Sequence, residues 1–183
     1  MSKDNLNSMG NKIKNRRLTV ASLLIALGFV LSPILRVPGM APMQHFINVI
    51  CSVLLGPWYS LVCAFLIALL RMMLLGVNLL AVTGGIFGAV LSGIFYRRTG
   101  KLIAATIGEM IGTGIIGAIA SWPVMKYIYG AHEVVWLTYL PSFIMGTLIG
   151  GGLGLLFLVA LKKRNLLEDI QRKLGTYSEK NNL

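Results

Sequence analysis

The residues able to recognise a small molecule stand inside or at the rim of long apolar runs. Gln44, His45 and Asn48 lie together, and Arg71 and Asn78 flank one break. Thr83 opens the next run, and Glu109, Trp122, Tyr139 and Ser142 follow. Amides, an imidazole, a guanidinium, hydroxyls and flat rings hydrogen-bond and stack, which suits holding a ligand more than remaking its bonds. The parts of an enzyme are missing. His45 and His132 are the two histidines, and neither has a second ligand at helical spacing. The HExxH, GxSxG and GxxxxGK[ST] patterns do not occur, so no P-loop hydrolysis of ATP is expected in this chain. Cys51 and Cys63 lack a CxxC or Cys/His context, so no metal site is predicted. Three residues separate His45 from Asn48, which puts both on one face of a helix.

The elements that must carry these groups are membrane spans. Of 183 residues, 56% are apolar and 13% charged, about half the charged share of a soluble domain. Arg71 is the one charged residue between Trp58 and Tyr96. As a single helix that stretch would run roughly 58 Å, about twice the hydrocarbon core of a bilayer, so it folds back within the membrane. The fold class predicted is an all-α integral membrane protein of six transmembrane helices. The spans fall near 19–35, 43–55, 58–75, 79–96, 102–127 and 134–161. Gly56-Pro57 separates the second from the third, although 46–70 also reads as one tilted helix. Charge decides between the two. With six spans, all of the 17 Lys and Arg residues except Arg36, Arg71 and Lys126 gather on one side, as the positive-inside rule requires. Both termini are then cytoplasmic. The net charge of +11 is accounted for by these clusters, and nucleic acid is not an expected partner. A polar segment, 1–17, precedes the membrane domain, 18–162. A tail, 163–183, follows, with Leu166, Leu167, Ile170 and Leu174 at helical spacing, which reads as an amphipathic helix on the cytoplasmic membrane surface.

In that topology the polar residues named above, Glu109 apart, converge on the outer half, predicting an outward cavity for a small, mostly uncharged, aromatic ligand. Trp122 and Tyr139 also fit an outer aromatic belt, Arg71 also fits snorkelling to the interface, and His45 and Asn48 also fit support of the irregular first loop around Pro38, Gly39 and Pro42. Glu109 is the one acid within any span. A bare carboxylate there costs several kcal/mol, so it is paired, protonated or beside a polar cavity; ligand contact and a structural hydrogen bond both fit, although its place about two turns above the cytoplasmic end of the fifth helix, nearer the inner face, weighs against ligand contact. Small-residue faces on the fourth (Gly84, Gly88, Ser92), fifth (Gly108, Gly112, Thr113, Gly117, Ser121) and sixth (Gly146, Gly150, Gly154) spans predict close helix packing. Ser22 and Ala26 on the first span fit either an internal seam or a docking strip for another membrane protein.

Four segments carry a family resemblance: Pro38-Gly39-Met40-Ala41-Pro42-Met43-Gln44-His45-Phe46-Ile47-Asn48, Leu54-Leu55-Gly56-Pro57-Trp58-Tyr59, Gly84-Gly85-Ile86-Phe87-Gly88-Ala89 and Gly108-Glu109-Met110-Ile111-Gly112-Thr113. Over residues 18–162 the chain resembles the ThiW family, substrate-binding S components of energy-coupling factor (ECF) vitamin importers. The resemblance implies a six-helix protein of a prokaryotic cytoplasmic membrane that binds its ligand in an outward-facing cavity. It implies partners: a transmembrane coupling protein and two ATPase subunits, which use the ATP, so that this chain has no cofactor of its own and is not an enzyme. It implies that Ser22 and Ala26 match the small-xxx-small motif facing the coupling protein, with Ser in place of the more usual Ala. The implied ligand is the thiamine precursor hydroxyethylthiazole or a related precursor. The competing class is a self-sufficient channel or secondary carrier, which needs a polar path through both halves of the membrane.

Overall fold

The computed structural model describes residues 3–35 and 41–176. Arg36, Pro38 and Gly39, expected in the first connection, lie outside the described residues. Among the described residues there are helices and no strand. In chain order the helices are α1 (Lys3–Leu31), α2 (Pro42–Leu55), α3 (Pro57–Leu75), α4 (Leu80–Thr99), α5 (Leu102–Ile128), α6 (Leu140–Lys163) and α7 (Leu166–Lys173). Four of them, α3 to α6, are long and apolar enough to cross a membrane, and α2 is a shorter apolar helix. The first helix begins at Lys3, so the polar segment and the first apolar run form one rod, which ends at Leu31 rather than near residue 35.

The doubtful break is real. Gly56 joins α2 to α3 at φ +88°, ψ 179°, a backbone state open to glycine and strained for other residues. The chain reverses there: Ser60 Oγ donates to Asn48 O at 3.2 Å and Gln44 Nε2 to Ala64 O at 3.4 Å, pairings that only an antiparallel hairpin gives. α2 is the spine of the bundle, buried at every position except Phe46. Its 14 residues make roughly 21 Å of helix, shorter than the hydrocarbon core, so it crosses only with the connection before it, and its first turn lies inside the fold.

The glycine faces do the packing expected of them. A Cβ at Gly112 would lie 2.6 Å from Gly88 Cα and Phe87 O, and one at Gly108 2.6 Å from Leu91 O, so α4 and α5 meet backbone to backbone. α5 is not a uniform α-helix. Leu102–Glu109 and Ala118–Pro123 are α-helical, while Met110–Gly117 and Val124–Ile128 are π-helical; Pro123 sits inside the rod, where it removes an N–H from the ladder.

The amphipathic tail helix exists, but it docks on the bundle rather than lying free at a lipid surface. Leu167 and Leu174 are buried in the main core cluster. Gln171 Nε2 donates to Val53 O and to Tyr96 Oη, each at 2.9 Å, and Thr176 Oγ1 donates to Leu54 O at 2.8 Å. Arg17 Nε reaches Leu174 O at 2.7 Å. The bonds to Val53 O and Leu54 O cap α2 carbonyls that the helix end leaves open. They gather Arg17, the Arg97–Lys101 connection and the Lys162–Arg164 turn at one end of the bundle.

Candidate functional site

The opposite end holds a cavity of about 340 Å³, at the small end of ligand pockets, which run roughly 300–1,000 Å³. It is lined from α2 by Gln44 and His45, from α3 by Arg71, from the following turn by Asn78, from α4 by Gly84 and Gly85, and from α5 and α6 by Thr113, Ser142 and Phe143.

Local sequence explains each placement. Pro42 occupies the first turn of α2, where its fixed φ suits a helix start and its missing N–H costs nothing. Gln44 and His45 therefore lie in the first turn of a helix that begins in the interior. Gly76, at φ +64°, ends α3 one turn beyond Arg71. Asn78 Oδ1 accepts from Leu80 N at 3.2 Å, turning the chain into α4.

The floor of the cavity is a hydrogen-bonded hub on Glu109, whose side chain is 0% exposed. Its Oε1 accepts from His45 Nδ1 at 2.9 Å, Asn48 Nδ2 at 3.0 Å and Thr113 Oγ1 at 3.2 Å. Asn48 Nδ2 also donates to Gly85 O at 3.0 Å, which fixes the amide orientation, because both of its neighbours there are acceptors. Oε2 has no hydrogen-bond partner among the described residues. Gly88 makes room for the hub: a Cβ there would fall 2.7 Å from the carboxylate. Nearer the mouth, Arg71 Nη1 donates to Gln44 Oε1 at 3.0 Å, and Gln44 spends its amide N–H on α3. One guanidinium and one carboxyl group thus bracket the site.

The site residues expected from the sequence divide into three groups. Gln44, His45, Arg71, Asn78 and Ser142 line the cavity, and Asn48 and Glu109 stand behind it in the hub. Arg71 is buried and does not snorkel, and His45 serves the hub rather than the first loop. Thr83, Trp122 and Tyr139 do not line the cavity. Thr83 Oγ1 pairs with Ser121 Oγ at 2.6 Å, tying α4 to α5. Trp122 Nε1 donates to Val134 O at 3.1 Å and its ring lies 5.2 Å from Lys126 Nζ, so it pins the α5–α6 connection. Tyr139 leans on Phe143, with ring centroids 6.1 Å apart. The aromatic ring in the cavity is Phe143. Thr113 was read as a packing residue; its place four residues after Glu109, on the same helix face, is the signal that identifies it. Ser22 and Ala26 are exposed on α1, beside exposed Leu23 and Leu27, so they form no internal seam.

The family model described as thiamine-precursor transporter protein (ThiW) matches residues 18–164. No curated protein and no solved structure matches the chain. A match over this much of the sequence, on an all-helical chain with four long apolar helices, shows that the protein belongs to the ThiW family of thiamine-precursor transporters.

Proposed function

We propose that this chain is the substrate-binding S component of an ECF-type importer and that its cavity takes hydroxyethylthiazole or a closely related thiamine precursor. The observation that carries this reading is a small cavity lined by polar groups and placed at the end of the bundle away from the basic clusters. Under the positive-inside rule, that end faces outward, α1 to α6 form six spans, and both termini are cytoplasmic. A thiazole ring fits against Phe143, with Arg71 as donor and His45 on the other side. Toward the basic end the core is apolar, with Val53, Leu55, Cys51 and Leu158 buried and interrupted by the Ser52–Ser92 pair at 2.6 Å. That supports a binding subunit over a self-sufficient carrier. The driving force then comes from ATP used by partner subunits.

Reconstituted alone in liposomes, the chain should bind hydroxyethylthiazole and accumulate none. Concentrative uptake by the isolated chain would make it a carrier in its own right.

The coupling protein is proposed to dock on the exposed Ser22 and Ala26 strip, where small side chains permit close helix approach. Ser22→Leu and Ala26→Leu should each reduce pull-down of the coupling protein and reduce uptake at least tenfold, with ligand affinity unchanged. Normal complex formation by both variants would place the docking surface elsewhere.

A further inference from the structure

The hub fixes more than the position of His45. Three donors meet on Glu109 Oε1: His45 Nδ1, Asn48 Nδ2 and Thr113 Oγ1. Asn48 is held in its donor orientation by Gly85 O. With such neighbours Oε1 is an acceptor whether the carboxyl is ionised or carries a proton on the unpartnered Oε2. With the proton of His45 on Nδ1 and donated to Oε1, all three contacts are satisfied at one acceptor. A neutral imidazole then has its lone pair on Nε2. His45 lines the cavity and makes no other hydrogen bond among the described residues, so Nε2 is the atom left for a ligand.

We propose that Glu109 is a positioning residue that holds His45 in the tautomer with a bare Nε2, so that the cavity selects ligands presenting a hydrogen-bond donor, an alcohol hydroxyl, at that point. This rests on the functional reading above and adds an orientation to it. A thiazole nitrogen only accepts, so it cannot face His45 and turns toward the Arg71 guanidinium, whose N–H groups only donate. The hydroxyethyl arm then points to His45. The opposing donor and acceptor make the site require a ligand with the reverse pair, an acceptor at one end and a donor at the other.

The test uses the full chain in detergent and calorimetric titration with two ligands. One is hydroxyethylthiazole. The other is its fluoroethyl analogue, close in size but without the O–H. The analogue should bind about ten- to a hundredfold more weakly, the effect of leaving one buried hydrogen bond unmade. Glu109→Gln, whose amide oxygen can receive the same three donors, should keep that ratio, whereas Glu109→Leu, which frees Nδ1, should shrink it. Nitrogen-15 NMR of histidine-labelled protein, with His132→Gln to assign the second histidine, should show the His45 proton on Nδ1. Equal binding of the two ligands, or a proton found on Nε2, overturns the assignment while leaving the functional reading intact. Failure of the parent chain to bind hydroxyethylthiazole at all overturns both.

Discussion

Glu109→Leu should lower affinity for hydroxyethylthiazole by about ten- to a hundredfold and destabilise the fold by about 1–3 kcal/mol, while Glu109→Gln should stay within about 1 kcal/mol of the parent in both respects. The asymmetry follows from where the donors point. All three partners of the side chain meet at Oε1, and Oε2 receives none. Gln keeps an oxygen where the donors converge and replaces only the oxygen that accepts no hydrogen bond among the described residues. Leu removes the shared acceptor. Asn48 retains Gly85 O, but the His45 ring and the Thr113 hydroxyl lose the oxygen that holds them, and a donor left unpaired in a buried site costs its full desolvation. Removing a buried carboxylate offsets part of that loss, because an isolated charge is expensive in a membrane interior. The stability change is therefore moderate and of the same order as the loss in binding, which depends on His45 orientation. Calorimetry with each variant, together with thermal unfolding in detergent, separates the two effects. A Leu variant that binds like the parent would make the hub simple packing. A Gln variant as weak as Leu would mean that charge, not acceptance at Oε1, is what the site needs.

Much of this site was legible in the sequence because polar groups are costly in lipid and gather where they can be satisfied. Gln44, His45, Arg71, Asn78 and Ser142 stand near the same ends of alternating spans, and charge parity says which ends are together. Facing was harder to read. α4 and α6 are apolar or glycine around most of their circumference, so no stripe marks an inward side, and Thr83 and Tyr139 were placed in the cavity by height alone. In α5 the π-helical turns slip the 3.6-residue phase, which leaves Trp122 beside the α5–α6 connection. Along its own helix Glu109 stands roughly 10 Å above Leu102, which sets it nearer the inner face than the outer groups. α2 supplies the missing fact. It begins inside the fold, and His45 stands only about 15 Å above Leu55 at its far end, near the level of Glu109. The tail helix was read correctly as amphipathic, but composition does not tell a lipid surface from the exposed end of a bundle; Gln171 and its bonds to Val53 O and Tyr96 Oη decide it.

Gly150→Ala should weaken ligand binding more than tenfold and lower the apparent melting temperature, whereas Gly152→Ala, two residues along the same helix, should do neither. A Cβ at Gly150 would overlap the carbonyl oxygen of Pro42 and lie 2.8 Å from its carbonyl carbon and 3.0 Å from His45 Cβ. Backbone cannot swing aside as a long side chain can, and α2 is enclosed along nearly its whole length. The first turn of α2 must then shift away from α6 as a unit, carrying Gln44 and His45 with it. Such overpacking costs about 1–3 kcal/mol. The higher helix propensity of Ala returns up to about 1 kcal/mol, so the net stability loss is modest. Binding is more sensitive, since a site built on fixed hydrogen bonds tolerates displacements of only about 0.5 Å. At Gly152 nothing among the described residues lies within 4 Å of an added Cβ, so only the propensity gain remains. Paired calorimetry and melting on the two variants settle the matter. Equal behaviour at the two positions would show that the α2–α6 contact does not set the position of His45, and that the cavity geometry is held by the Glu109 hub alone.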